Sequence, residues 1–169
     1  GGSCIYLSQA DVGLGVREPE ADVARVLDRL VDVIVARVFS HRSLEILAEN
    51  TSIPVINALS DLAHPCQALG DLFTMQEHKG GLDGLRVAYV GDGNNIASSL
   101  ALGCASVGAD FVIAAPRDYH VPTVAWEEAK RRAAVSESLL DWVESPQEAV
   151  GDADIVYTDV WISMGQEAQ

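Results

Sequence analysis

The sequence predicts an α/β fold of two doubly wound parallel-sheet half-domains joined by a hinge, both of them incomplete. Three observations lead there. Short β-branched runs alternate with amphipathic helical patterns along the chain, the order that lays parallel strands beneath covering helices. Apolar residues make up 49% of 169 residues, enough for one ordinary core or two small ones sharing a hinge. A charged, glycine-rich break, Lys79-Gly80-Gly81-Leu82-Asp83-Gly84, follows a helix and divides the pattern into halves at 1–80 and 81–169.

Strands are read at 4–7, 33–37, 53–57, 85–90, 111–115 and 155–157, with a weaker one at 139–143. Between them, Val23, Val26, Leu27 and Leu30 keep the i, i+3, i+4, i+7 spacing of a helix with one apolar face. Similar patterns recur at 44–49, 68–77, 96–107 and 124–134. A strand so near the first residue, and Gly1 where Met would stand, predict that the chain begins inside a longer protein.

Composition excludes several classes of function. The chain carries 11 Lys+Arg against 25 Asp+Glu, a net charge of −14, and its acidic residues are scattered rather than gathered in a tail. Nucleic acid and anionic membrane are therefore not expected partners, since their phosphates need a basic surface. Cys4, Cys66 and Cys104 are odd in number and far apart, which reads as neither a disulfide framework nor a cysteine zinc site and fits a reducing, cytoplasmic setting. His41, His64, His78 and His120 lack tight ligand spacing, so no zinc site is expected. No stretch reaches the roughly 18 apolar residues of a membrane span.

In doubly wound sheets ligands bind beyond the carboxyl ends of the strands, so the residues just after each strand carry the chemistry. Arg37 closes one strand with a permanent cation, suited to an anion or to a strand-end salt bridge. His64-Pro65-Cys66-Gln67 stands where a helix begins, with Pro65 fit for its first turn; its histidine and glutamine can donate to an oxygen and an amide, or His64 can simply cap the helix. Gly91-Asp92-Gly93-Asn94-Asn95 follows a strand and opens a helix, yet fails as a dinucleotide fingerprint. Ile96 and Ala97 stand where the third glycine belongs, and no acid follows the next strand to hold a ribose. Its two amides suit a small polar ligand bearing a carboxylate, or an ordinary loop. Asp159, in Asp159-Val160-Trp161-Ile162-Ser163-Met164-Gly165, would complement an amino-acid ammonium group or sit in a strand-end turn.

Taken together and in order, these three segments resemble the motifs of the ornithine carbamoyltransferases. The likeness extends over essentially the whole chain, including Gly13-Leu14-Gly15, Ala36-Arg37-Val38-Phe39 and the run 54–61. The Ser163-Met164-Gly165 loop sets the chain apart from aspartate carbamoyltransferases, whose amino-acid loop is basic. The resemblance implies transfer of a carbamoyl group from carbamoyl phosphate to the side-chain amine of L-ornithine, giving citrulline and phosphate in arginine metabolism, without cofactor. It implies that Arg37, His64, Pro65, Cys66 and Gln67 bind carbamoyl phosphate, with Arg37 and His64 catalytic. Asn95, Asp159, Ser163 and Met164 would bind ornithine. It further implies a carbamoyl-phosphate half at 1–80, an ornithine half at 81–169, a Ser163 loop that closes over the amino acid, and a homotrimer.

Two family segments are missing. The Ser-Thr-Arg-Thr phosphate loop is expected just before Gly1, and a His-Cys-Leu-Pro segment well beyond Gln169; without them the 169-residue piece is expected to be inactive. Neither Cys66 nor Cys104 takes the role of the second segment's cysteine, and Gly13 offers no side chain where some members reach the phosphate. Rival readings are a carbamoyltransferase for putrescine or N-acetylornithine, and a non-catalytic binding protein on the same fold. An acetylated or absent α-amine would leave Asp159 unpaired at a cost of roughly 1–3 kcal/mol, and packing does not require Arg37, His64, Gln67, Asn95 and Asp159 together at strand ends.

Overall fold

A computed structural model describes residues 2–160, apart from the side chains of Gln9 and Ala10. The chain forms two compact units, the first ending at Ser60 and the second beginning at Asp61.

In the first unit a single helical turn, α1 (Gln9–Val12), precedes α2 (Glu20–Leu27). Glu20 and Asp22 occupy the first turn of α2, where carboxylates complement the helix dipole. Its buried residues, Val23 and Ala24, belong to the side that packs on α3 (His41–Glu49), which buries Leu44 and Leu47 in turn. Two parallel strands complete the unit, β1 (Ile34–Arg37) and β2 (Val55–Leu59). They pair Ile34 with Val55, Val35 with Ile56 and Ala36 with Asn57; the register then slips and Arg37 faces Leu59. An extra residue of this kind bends a strand and re-aims the side chain that follows.

Two sequence expectations need correction here. β2 starts two residues later than its apolar run suggests, because Pro54 has no N–H for a ladder and contributes only its carbonyl, which accepts from Ile34 N at 3.0 Å. The run at 4–7 forms no strand, and Ile5, Tyr6 and Leu7 stand exposed. A strand needs a neighbour to satisfy its backbone groups, and among the described residues none pairs with this segment.

The second unit is built on β3 (Arg86–Val90), β4 (Asp110–Ala114), β5 (Leu140–Val143) and β6 (Ile155–Tyr157), all parallel, in the order β5-β4-β3-β6. Alternation along the strands assigns the two faces. Val87, Tyr89, Phe111 and Ile113 share a core with α4 (Pro65–Lys79), α5 (Asn95–Val107) and α6 (Thr123–Ser136). Ala88, Val112 and Ala114 pack instead with Ala149 of α7 (Pro146–Val150). Without a charged residue, α5 can bury most of its surface between α4 and α6, and Leu100, Ala101, Cys104 and Ala105 are fully inaccessible. The sequence reading missed α7, too short for apolar periodicity to show; its start carries a Ser-x-x-Glu signal, with Ser145 Oγ accepting from Glu148 N at 3.4 Å. α4 packs against α5 and ends at Gly80, whose φ of 82° is the left-handed cap that suits glycine.

From β3 the chain moves outward through β4 to β5, then returns to the opposite side of β3 as β6. The strand order therefore reverses between β3 and β6, and the residues that follow these two strands flank the switch point, where such sheets bind ligands. No helix among the described residues is long and apolar enough to cross a membrane.

Candidate active site

Asn94 organises the switch point. It is the N-cap of α5, where its Oδ1 accepts from Ile96 N at 2.9 Å and Ala97 N at 3.1 Å, so the orientation of its amide is fixed by two backbone donors. The amide nitrogen then faces the end of β6, and Nδ2 donates to Asp159 Oδ2 at 2.9 Å. The Asp159 carboxylate is half-buried, and its Oδ1 has no hydrogen-bond partner among the described residues. One oxygen is clamped and the other is available to a cation such as an ammonium group. Close approach of the loop to its neighbour is a condition of this arrangement. Gly93 N donates to Tyr119 O at 2.7 Å, and a Cβ on Gly93 would run into the backbone of His120 and Val121.

Two stacked tyrosines adjoin the clamp. Tyr89 and Tyr157 stack with ring centroids 5.6 Å apart, and the Tyr89 hydroxyl donates to Asn94 Oδ1 at 3.4 Å. Burial, with the negative charges of Asp159 and Asp92 beside it, pushes the Tyr89 phenol well above its ordinary range. Burial and the hydrogen bond to Asp71 do the same for Tyr157. Both hydroxyls therefore remain protonated donors.

The His64-Pro65-Cys66-Gln67 segment opens α4, with His64 at the cap position and Pro65 in the first turn, where its missing N–H costs nothing. His64 N donates to Ser99 Oγ at 2.8 Å, and the Ser99 hydroxyl donates to Asn95 O at 2.8 Å, which ties this segment to the first turn of α5. Gln67 Nε2 donates to Asp71 Oδ1 one turn along α4, at 2.9 Å. Asp71 Oδ2 accepts from the Tyr157 hydroxyl at 2.9 Å. His64 and Asn95 are thus joined through Ser99, Gln67 is joined to Tyr157 of β6 through Asp71, and Asp159 is joined to the start of α5 through Asn94, with Pro65 and Cys66 in the first turn of α4.

Arg37 lies in the first unit, at the carboxyl end of β1 just past the register slip, exposed, and its guanidinium makes no hydrogen bond or ion pair among the described residues. Nearby in that unit, the fully buried Ser60 joins His41 Nδ1 at 2.8 Å and accepts from Asn57 Nδ2 at 3.4 Å. This anchors the turn after β2 to the start of α3. Ser163 and Met164 lie outside the described residues.

Three residues that sequence reasoning did not single out, Ser99, Asp71 and Tyr157, hold these links together with Asn94, whose amide the sequence suggested as a ligand group rather than as a helix cap. Asn94 had a readable signal, an amide at the start of a helical pattern, where caps are expected. Asp71, four residues after Gln67, sits at the spacing for a same-face pair. The Tyr157–Asp71 bond had none, because it joins positions 86 apart in the chain.

Residues 1–77 match the family described as aspartate/ornithine carbamoyltransferase, carbamoyl-P binding domain, and residues 83–169 match its Asp/Orn binding domain. The chain is 53% identical over its full length to an ornithine carbamoyltransferase of Bacillus subtilis, of which it covers 53%. It is 48% identical to an anabolic ornithine carbamoyltransferase of Pyrococcus furiosus, covering 54% of it. A solved structure of the Pyrococcus furiosus ornithine carbamoyltransferase superimposes with a TM-score of 0.93 at 49% identity, over 97% of this chain and 52% of that one. The chain thus spans about half the length of the relatives it matches. With both halves matched in sequence and the parallel-sheet fold shared, the chain belongs to the aspartate/ornithine carbamoyltransferase family.

Proposed function

We propose that the protein of which this chain is part transfers the carbamoyl group of carbamoyl phosphate to the side-chain amine of L-ornithine, releasing citrulline and phosphate. The single observation that carries the amino-acid half of this reading is the Asn94–Asp159 clamp at the strand switch point, which leaves the second carboxylate oxygen, unbonded among the described residues, for an α-ammonium group. The identity with relatives named ornithine carbamoyltransferase supports the same substrate.

Roles follow residue by residue. Asp159, together with Ser163, holds the ammonium group, and Asn95 with the Met164 backbone holds the carboxylate. His64 and Gln67, with Pro65 and Cys66 lining the same turn, hold the carbamoyl phosphate, to which Arg37 contributes a permanent cation. The neutral amine attacks the carbamoyl carbon, negative charge grows on the carbonyl oxygen, and Arg37 and His64 stabilise it until phosphate leaves. Holding both substrates in contact supplies much of the remaining rate. The departing phosphate accepts the proton that the amine sheds, so the protein needs no base of its own. An amine of this type has a pKa of about 10, so activity rises with pH as the reactive neutral form increases.

The carbamoyl-phosphate half is proposed at 1–80 and the ornithine half at 81–169; the left-handed cap at Gly80 and the turn at Gly84, φ 72°, support a break there. A homotrimer in the cytoplasm is the proposed working form. Citrulline formation by the full-length protein tests the reading: turnover with ornithine, rising from pH 7 toward pH 9, is expected. Equal or better turnover of putrescine or N-acetylornithine would replace the proposed substrate, and no turnover with any amine would leave the binding-protein alternative.

A further inference from the structure

We infer that Asp71 is a positioning residue that makes Gln67 selective for an acyl phosphate bearing an NH2 group. The inference rests on the proposed role of Gln67 in holding carbamoyl phosphate. An aspartate carboxylate only accepts hydrogen bonds, so Gln67 must meet Asp71 with its nitrogen, and Nε2 donates to Oδ1 at 2.9 Å. The other carboxylate oxygen is taken by the Tyr157 hydroxyl at 2.9 Å, which fixes Asp71 against β6. Tyr157 is a dependable donor there, since burial and the adjacent carboxylate keep its phenol protonated.

With its nitrogen engaged, Gln67 presents its carbonyl oxygen. Oε1 has no hydrogen-bond partner among the described residues, and Gln67 is exposed. A carbonyl oxygen accepts from the N–H of a carbamoyl group and gains nothing from the methyl of an acetyl group. If Asp71 did not hold it, the amide could turn over and present NH2 instead, and the preference would fade. The far end of the same helical turn is fixed independently through His64 N and Ser99, so release of Asp71 acts on the Gln67 amide rather than on the helix start. A purely structural Asp71 predicts something else: displacement of α4 would weaken both acyl phosphates alike.

The test measures dissociation constants of carbamoyl phosphate and of acetyl phosphate by calorimetry on the full-length protein, with thermal melting as the check on folding. Asp71→Ala is expected to lose about tenfold for carbamoyl phosphate, the effect of one substrate hydrogen bond, while acetyl phosphate stays within about twofold. Asp71→Asn should recover most of the loss, because its side-chain carbonyl still accepts from Gln67. Gln67→Met, at an exposed site that tolerates it, should collapse the same preference even if Asp71→Ala does not fold. Equal loss of both ligands, loss of neither, absence of rescue by Asp71→Asn, or an intact preference in Gln67→Met each overturns the inference. An unmodified protein that does not bind carbamoyl phosphate refutes the parent reading instead.

Discussion

Replacing Asn94 by Asp separates its two duties. At the N-cap of α5, Asp is as good a residue as Asn, and its charge gains a further ~0.3–1 kcal/mol from the helix dipole. The helix should therefore persist, with melting unchanged to within a few degrees. Toward β6 the change is severe, because the donor 2.9 Å from Asp159 Oδ2 becomes a second carboxylate oxygen. A charge-assisted hydrogen bond is worth about 1.5–3 kcal/mol, and two like charges at ~4 Å repel by about 4 kcal/mol at an effective dielectric constant of ~20. The carboxylates relieve this by sharing one proton, which raises one of their two pKa values. The assay is calorimetric titration of norvaline, which lacks the reacting amine, into full-length Asn94→Asp saturated with carbamoyl phosphate. Affinity should fall roughly ten- to hundredfold at pH 8, following the lost hydrogen bond. It should partly recover toward pH 6, where the shared proton restores a bridge between the oxygens. Norvaline affinity equal to that of the unmodified protein at both pH values would refute the argument that Asn94 holds Asp159.

Other consequences can be read in the same way. Cys104 is buried and its thiol is pushed up to about 12 by desolvation, whereas Cys4 and Cys66 are exposed; a thiol reagent at pH 8 should label two cysteines in the native chain and the third only after unfolding. Gly93→Ala forces a methyl group against the backbone of His120 and Val121, and should cost about 1–3 kcal/mol in melting experiments while also weakening norvaline binding. Glu128 is held down to about 2 by hydrogen bonds from Arg131 and Arg132. Any stabilisation from that exposed cluster is present above the ordinary glutamate value of 4.5 and is lost as pH falls toward 2; Glu128→Gln should therefore flatten the acid limb of stability slightly, and salt should erase the difference.

Much of the fold was legible because apolar periodicity is local. The strand–helix alternation of the second unit appeared at nearly its observed bounds, and the weak strand at 139–143 proved to be β5. Where the sequence misled, a non-local or backbone effect decided the outcome. Pro54 delayed β2 for lack of an N–H, and 4–7 lacked a pairing neighbour. The residues proposed for the site, Arg37, His64, Gln67, Asn95 and Asp159, stand where a strand ends or a helix opens, positions that local sequence pattern marks. The contacts that orient them are not marked in this way, since Asn94–Asp159 and Asp71–Tyr157 are pairs of distant positions that only strand order brings together. Asn94 is the instructive case: one side chain caps its own helix through oxygen and grips a carboxylate 65 residues later through nitrogen, and only the first use leaves a local trace.

The central claim is that Oδ1 of Asp159 recognises an α-ammonium group, and the ratio of kcat/KM for ornithine to that for 5-aminopentanoate tests it most directly. 5-Aminopentanoate carries the reacting amine and the carboxylate but lacks the α-amine. The account predicts a strong preference for ornithine in the full-length protein and a fall of at least about tenfold in that preference for Asp159→Asn, which keeps the shape and the contact to Asn94 but removes the charge. A preference that survives Asp159→Asn undiminished would contradict it.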